Sequence, residues 1–175
     1  MPASGVPPGG VDESTLHLYH GEPVSCQGSR VIGHLGGGRY AYTVGYSADS
    51  EDHAAAFDLE APEVTVAPEE DLDVVESGET VVVRLPNHEE APRPATFTVR
   101  RAESADRRLI PEQLPYRRFR PIRNTVPLFE PGVEAVRLET DRSTALRVLD
   151  YEDGGTMRFE YESEAFEAVS ELVEE

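Results

Sequence analysis

The 175-residue chain has no lysine and no tryptophan, a single cysteine (Cys26) and only two methionines. With one cysteine, it can form neither an internal disulfide nor a cysteine-based zinc site. It also lacks an apolar run of the roughly 18–20 residues that a membrane-spanning helix requires, so we do not expect an integral membrane protein. Residues 1–10 contain neither a basic nor an apolar segment, and we therefore expect no secretory signal peptide.

The charge is strongly one-sided. There are 34 Asp and Glu against 16 cationic residues, all of them Arg, which gives a formal net charge of −18. Small soluble domains more often carry a net charge of magnitude about 2–8. Such an excess of like charge destabilises a compact state in dilute salt, whereas at 1 M salt the Debye length of about 3 Å screens the repulsion.

Acidic residues scattered through the whole chain, together with the absence of lysine, are typical of proteins from salt-in halophiles, especially halophilic archaea. The alternative is an acidic protein from a GC-rich mesophile, in which arginine also replaces lysine. On the first interpretation we expect the protein in a virion or in the cytoplasm of a salt-in halophile.

Arginine is concentrated in one part of the chain. Residues 93–123 contain nine Arg and three acids, a net charge of +6, whereas the other 144 residues carry a net −24. This asymmetry is the strongest organisational signal in the sequence.

Short segments with β-branched or alternating apolar residues predict an all-β fold, an antiparallel β-sandwich resembling a jelly roll, because turn signals recur every 8–12 residues. Near the C-terminus, Ser163 is a suitable N-cap, and Phe166, Val169 and Leu172 share a helical face, so a short C-terminal helix is predicted. The predicted strands lie at 15–19, 29–34, 39–47, 63–67, 80–85, 95–101, 133–139, 145–151 and 156–162.

Two segments interrupt this pattern. Residues 1–14 are rich in Pro, Gly and Ser and predict an extended N-terminal arm ahead of a single domain over residues 15–175. Within that domain, five prolines between residues 102 and 132 recur too often for a long helix or a central strand. We therefore predict an extended surface segment over 102–132.

Most other motifs have an ordinary explanation. His17 and His20, with His34 as a third candidate, could hold a transition metal, but residues three apart point to opposite faces of a strand. The glycine-rich segment 33–39 leads into a predicted strand without the Lys of a phosphate-binding loop, which favours a flexible connection. No known sequence signature of a nucleophile surrounds Cys26. Tyr40, Tyr42 and Tyr46 could stack on a sugar or base, although cross-strand packing is the more common role.

The best candidate for function is an interaction surface in the arginine-rich segment. Arginine forms bidentate pairs with carboxylates and phosphates and stacks on aromatic rings, and two aromatic residues are interleaved with the arginines here. Nucleic acid is one possible partner, but the surrounding negative charge opposes it. The other is an acidic protein surface, including a second copy of this chain, and pairing with the chain's own carboxylates is an equal alternative. The predicted interface consists of Arg107, Arg108, Tyr116, Arg117, Arg118, Phe119, Arg120 and Arg123.

These features favour a non-enzymatic structural or assembly protein of a salt-adapted system, such as a capsid, decoration or tail component of a virion that contacts other subunits. Two alternatives stay open. One is a small metal-dependent or ligand-binding sandwich resembling the cupins, and the other is an accessory protein that binds nucleic acid. The preferred hypothesis needs no cofactor and no catalytic or metal-ligating residue.

Overall fold

The computed structural model describes residues 10, 13, 15–24, 29–43, 54–86, 88–91, 93–149 and 155–173. Strands make up 42% of the structure and helices 15%, which confirms a mainly β protein. The chain divides into two compact units, Met1–Val64 and Thr65–Glu175. The predicted N-terminal arm lies outside the described residues, apart from residues 10 and 13, and so does Cys26.

The N-terminal unit contains two small sheets. Strands β1 (Leu16–Leu18) and β2 (Arg30–Ile32) pair in parallel, and β3 (Gly38–Thr43) pairs antiparallel with β4 (Ala54–Leu59). The predicted strand at 39–47 is thus seen as far as residue 43, since its last four residues lie outside the described part. Residues 54–59 form a strand where the sequence analysis predicts none, and the predicted strand at 63–67 is wrong, because those residues form no regular element.

The glycine-rich segment is a close-packed entry into β3. Gly37 donates its backbone N–H to the carbonyl oxygen of Pro62 at 3.2 Å. A Cβ atom at Gly37 would lie 2.3 Å from the carbonyl oxygen of Ala61, a distance that real Cβ atoms do not adopt. Two backbone segments can therefore approach here only because the residue has no side chain.

The C-terminal unit is built on a seven-stranded sheet. Its strands are β5 (Asp73–Ser77), β6 (Thr80–Arg84), β7 (Pro94–Arg101), β8 (Arg107–Arg108), β9 (Ala135–Asp141), β10 (Thr156–Tyr161) and β11 (Glu164–Leu172). Their order is β5-β6-β9-β7-β11-β10-β8, in which β6 and β9 pair in parallel, as do β8 and β10, while the other pairs are antiparallel. The sheet is therefore mixed, and the prediction of an antiparallel fold is wrong for these two pairs. The sandwich and jelly-roll arrangement stays a prediction.

Two-residue turns close both hairpins of this sheet. Between β5 and β6, Gly78 has φ of 64° and stands first in the turn, the position that a type II′ turn gives to glycine. Between β10 and β11, Glu162 and Ser163 have φ of 49° and 68°, as a type I′ turn requires at both positions. Neither of these last two residues is glycine, so this turn is held in place by the strands it joins.

One face of the sheet, which we call the core face, carries the hydrophobic core. Alternate residues of the central strands are buried there, among them Val83, Phe97, Leu138 and Phe159, all fully inaccessible to solvent. Phe166 packs between Phe159 and Phe129, at ring-centroid distances of 5.6 and 4.9 Å. Burial of each such side chain stabilises the fold by about 1.5–3 kcal/mol.

The other face of the sheet is largely polar and carries short ion pairs. Arg84 donates to Glu139 at 2.8 Å and to Asp73 at 3.1 Å, and Arg158 donates to Glu167 at 2.7 Å. Exposed pairs of this kind each contribute about 0–1 kcal/mol to the free energy of unfolding, so this face adds little to the stability of the fold.

Helix α2 (Arg142–Arg147), which follows the short helix α1 (Arg120–Arg123), packs on the core face. The sequence predicted a strand over 145–151, and that prediction is wrong for residues 145–147. The reason is a strong local signal at Asp141, whose carboxylate accepts hydrogen bonds from the N–H of Thr144 at 3.1 Å and from the hydroxyls of Ser143 and Thr144, each at 2.6 Å. An N-cap with three donors fixes a helix start that hydrophobic pattern alone does not reveal.

We expect Asp141→Ala to lower the free energy of unfolding by about 1 kcal/mol, since it removes the N-cap of α2. Burial raises the pKa of Asp141, but the hydrogen bonds from Ser143 and Thr144 together lower it by more, so the net pKa lies below the ordinary 3.8. The contribution of the charged cap is therefore complete above pH 3.8 and is lost as the pH falls through the lower folded value. Urea titrations at several pH values measure both effects. An Asp141→Asn variant is the control, because asparagine retains a capping oxygen, and an equal loss in both variants would contradict the capping role.

The predicted C-terminal helix is wrong, because residues 164–172 form the strand β11 between β7 and β10. Phe166, Ala168 and Ser170 are buried on the core face, which is an alternation of period two. Phe166, Val169 and Leu172 also fit a helical stripe, and over nine residues that stripe and a strand cannot be distinguished by pattern alone. The segment forms a strand because β7 and β10, which lie on either side of it, need hydrogen-bond partners for their backbone groups.

Candidate interaction surface

The arginine-rich segment is not an extended surface segment. Between Pro111 and Leu128 it forms three 3-10 turns and the single-turn helix α1. Seven of residues 102–132 are buried, and the leucine, isoleucine and valine side chains among them belong to the same core as Phe97 and Phe159. The segment thus covers part of the core face, and its prolines start or tighten the turns. The buried residues include Leu109, Leu114, Ile122, Asn124 and Thr125.

Arg120 pairs with a carboxylate of its own chain. Its Nε lies 2.8 Å from Oε1 of Glu69, and its Nη2 lies 2.8 Å from Oε2 of the same side chain. This is the bidentate geometry in which a planar guanidinium and a carboxylate form two parallel hydrogen bonds. Of the alternatives considered for the arginine-rich segment, pairing with the chain's own carboxylates therefore applies to Arg120.

Asn124 completes this arrangement from a fully buried position. Its side-chain amide donates from Nδ2 to Oε2 of Glu69 at 3.1 Å, and its Oδ1 accepts the backbone N–H of Glu69 at 3.0 Å. We call Glu69, Arg120 and Asn124 the carboxylate clamp. It joins residues more than 50 positions apart and fixes the segment 67–69 against α1.

The clamp favours the charged form of Glu69. Burial raises the pKa of this carboxyl, but the hydrogen bonds from Arg120 and Asn124 and the charges of Arg120 and Arg123 outweigh burial. The net pKa lies below the ordinary value of 4.5. The clamp therefore contributes fully above pH 4.5, and its contribution is lost as the pH falls through the lower folded pKa.

Arg123 is also directed to its own chain, because its Nε donates to the carbonyl oxygen of Ala67 at 2.9 Å. With Arg120 it lines an open cleft of about 580 Å³ whose other charged residues are Glu69, Glu70 and Asp71. The cleft contains both signs of charge in similar number, and its arginines already bind the chain itself.

Arg107 and Arg108 form β8, the outermost strand at one edge of the sheet, and both are exposed. Nε of Arg108 lies 3.7 Å from Oε1 of Glu160, which is beyond hydrogen-bond distance, and 74% of the Arg108 side chain is exposed. Within the part of the chain that the structure describes, Arg107 forms no ion pair. Both guanidinium groups are therefore accessible to a partner.

The Tyr116–Phe119 group is divided between surface and core. Arg117, Arg118 and Tyr116 are exposed, whereas Phe119 packs against the core. The guanidinium carbon of Arg118 lies 5.9 Å from the centroid of the Phe119 ring, within the range of a cation–π contact. Phe119 thus anchors this turn and positions the arginine beside it.

The predicted interface therefore falls into two groups. Arg120 and Arg123 bind the chain's own segment 67–69, and Phe119 is partly buried. The other residues face outward, and we call them the arginine surface: Arg107, Arg108, Tyr116, Arg117 and Arg118.

Sequence reasoning missed Glu69 and Asn124. Glu69 is one of 34 acidic residues, so composition gives no reason to choose it. Asn124 lies between two prolines without any recognisable motif. A buried amide is recognised only when the two segments that it joins are seen together.

The other sequence candidates lie in the N-terminal unit. His17 is on β1, and Nδ1 of His20 is 3.0 Å from the carbonyl oxygen of Leu35. Tyr40 stacks on Phe57 at 5.8 Å, and the Tyr42 hydroxyl accepts a hydrogen bond from Arg30. Tyr46 lies outside the described residues. Across the described ranges, no group of three His, Cys, Asp or Glu is placed to hold a metal ion.

Comparisons with protein-family models, with curated proteins and with solved structures find no match to this chain. Among the described residues, no helix has the length and apolar content that crossing a membrane requires.

Proposed function

We propose that this chain is a non-enzymatic structural or assembly protein of a salt-adapted system, such as a capsid, decoration or tail component of a virion, and that it contacts other subunits through the arginine surface. The observation that carries the proposal is the exposure of Arg107, Arg108, Arg117 and Arg118 on a chain whose net charge is −18. A second copy of such a chain presents an acidic surface to which these arginines can bind.

The proposal depends on the distance over which each kind of interaction acts. Concentrated salt removes long-range attraction and repulsion, but bidentate hydrogen bonds and stacking act at contact distance. The carboxylate clamp is an example of such contact geometry within this chain. The same chemistry between subunits would give an interface that persists in molar salt.

The test measures association in molar KCl by light scattering and mass photometry. We expect wild-type protein to form a defined oligomer or to join a larger particle, and Arg117→Ala/Arg118→Ala to weaken association at least about tenfold, since a charge-assisted hydrogen bond contributes about 1.5–3 kcal/mol. The matched control is Arg39→Ala/Arg100→Ala, which removes the same charge from two exposed positions elsewhere. A wild-type protein that is monomeric in every salt and partner condition, or a double variant that associates like the control, would contradict the proposal.

A further inference from the structure

The two outer edges of the seven-stranded sheet are complementary to each other. One edge is β5, whose five residues are all exposed, and the other is β8. An outer strand presents unpaired backbone N–H and C=O groups that can pair with another chain. Proteins often protect such an edge with proline, a bulge or charged side chains. β5 contains no proline, and its charged side chains, Asp73 and Glu76, are acidic, so they oppose pairing with an acidic strand and favour one that carries arginine.

The hairpin register shows which groups of β5 are open. Ser77 and Thr80 flank a two-residue turn and form a hydrogen-bonded pair, so the alternation of an antiparallel ladder makes Val75 and Val82 the next such pair. The backbone groups of Val74 and Glu76 therefore point away from β6, towards the open side. A strand added there would find one N–H and one C=O from each of these two residues.

Side chains at the two edges match in charge and in apolar surface. β5 carries Asp73 and Glu76 together with Val74 and Val75, which are 46% and 41% exposed. At the opposite edge, β8 carries the two arginines, and the nearby Ile110 is 40% exposed. Each face of β5 thus offers one apolar and one acidic side chain, Val74 with Glu76 on one face and Val75 with Asp73 on the other. Each face of β8 offers one arginine, so the charges at the two edges are of opposite sign.

From this match we infer that the acidic surface recognised by Arg107 and Arg108 is the β5 edge of a second copy of this chain, an inference that rests on the proposed function. β8 of one copy pairs with β5 of the next, so the sheet continues from subunit to subunit. Because the two joined surfaces differ, the contact is heterologous and generates a ring or an open filament rather than a closed dimer. Pairing of two β5 edges would instead join two strands whose charged side chains, Asp73 and Glu76, are all acidic, and like charge opposes that arrangement.

The experiment blocks one edge at a time in the full-length protein. Arg107→Glu/Arg108→Glu reverses the charge of the β8 edge, and Glu76→Pro removes an outward N–H and a carboxylate from the β5 edge without touching the hairpin's own hydrogen bonds. We expect each variant alone to lose association by at least about a hundredfold. The glutamates at β8 would face the acids of β5, and proline at position 76 would leave a carbonyl of the partner strand unpaired and prevent its close approach. The controls are Arg39→Glu/Arg100→Glu and Glu76→Gln, and far-ultraviolet circular dichroism verifies that each variant is folded.

Mixing the two blocked variants gives the decisive result. Each retains the edge that the other lacks, so an equimolar mixture should form heterodimers that do not grow further, as seen by mass photometry. If the β8 variant dimerises alone, the contact joins two β5 edges and the inference is wrong. If both edge variants assemble like wild type while Arg117→Ala/Arg118→Ala does not, the proposed function stands with another acidic partner. If no variant changes association, both proposals fail.

Discussion

Asn124→Asp is expected to destabilise the protein by about 3–4 kcal/mol at pH 7, because it places a second carboxylate beside Glu69 in a fully buried position. The new oxygen would stand where Nδ2 now donates to Oε2 of Glu69 at 3.1 Å. Arg120 can neutralise one carboxylate but not both. Guanidinium chloride titration in molar KCl measures the loss.

The matched variant Asn124→Ala removes both hydrogen bonds of Asn124, including the one from the Glu69 N–H that aspartate can still accept, without adding charge. It should cost about 2 kcal/mol. The extra loss in Asn124→Asp should shrink as the pH falls below about 5, because protonation of one carboxyl removes the repulsion. A double variant, Asn124→Asp/Glu69→Gln, should recover most of the loss, since it again pairs one carboxylate with one amide. Equal losses for Ala and Asp at pH 7 would show that the clamp does not act electrostatically.

Phe166→Ala should lower the free energy of unfolding by about 3–5 kcal/mol, because it leaves a cavity between the rings of Phe129 and Phe159. Leu172→Ala should change it by less than about 1 kcal/mol, since Leu172 is 44% exposed near the end of β11. Thermal and urea unfolding of the two variants provide the comparison. A helix over these residues would place both side chains on one buried stripe, so similarly large losses in both variants would rule out the strand.

The sequence pattern was sufficient where burial alternates on a single strand. Over 95–101 and 156–162, apolar and polar residues alternate, and both segments are strands close to the predicted bounds. It was insufficient at 164–172, where Phe166, Val169 and Leu172 fit a helical stripe although the buried residues, Phe166, Ala168 and Ser170, alternate with period two. There the partners β7 and β10 determine the outcome, and they come from distant parts of the sequence.

The arginine surface was predictable in part. Composition identified the segment and allowed an internal or an external role, and the structure shows contacts of Arg120 and Arg123 with their own chain. Composition could not assign an internal or an external role to each arginine, because the role depends on which segment lies opposite that residue in the fold. Glu69 and Ala67 are more than 50 positions away, and nothing in their local sequence marks them as partners.

The order of the seven-stranded sheet also has a consequence for how the chain reaches its native state. Only β5 with β6 and β10 with β11 are neighbours both in the described sheet and in the sequence, whereas β6 must find β9, and β7 must find β11, across long stretches of chain. Such non-local pairing requires costly loop closure before any favourable contact forms, and it is associated with folding times of milliseconds to seconds. We therefore expect slow folding that begins at the two hairpins, with the centre of the sheet assembled last.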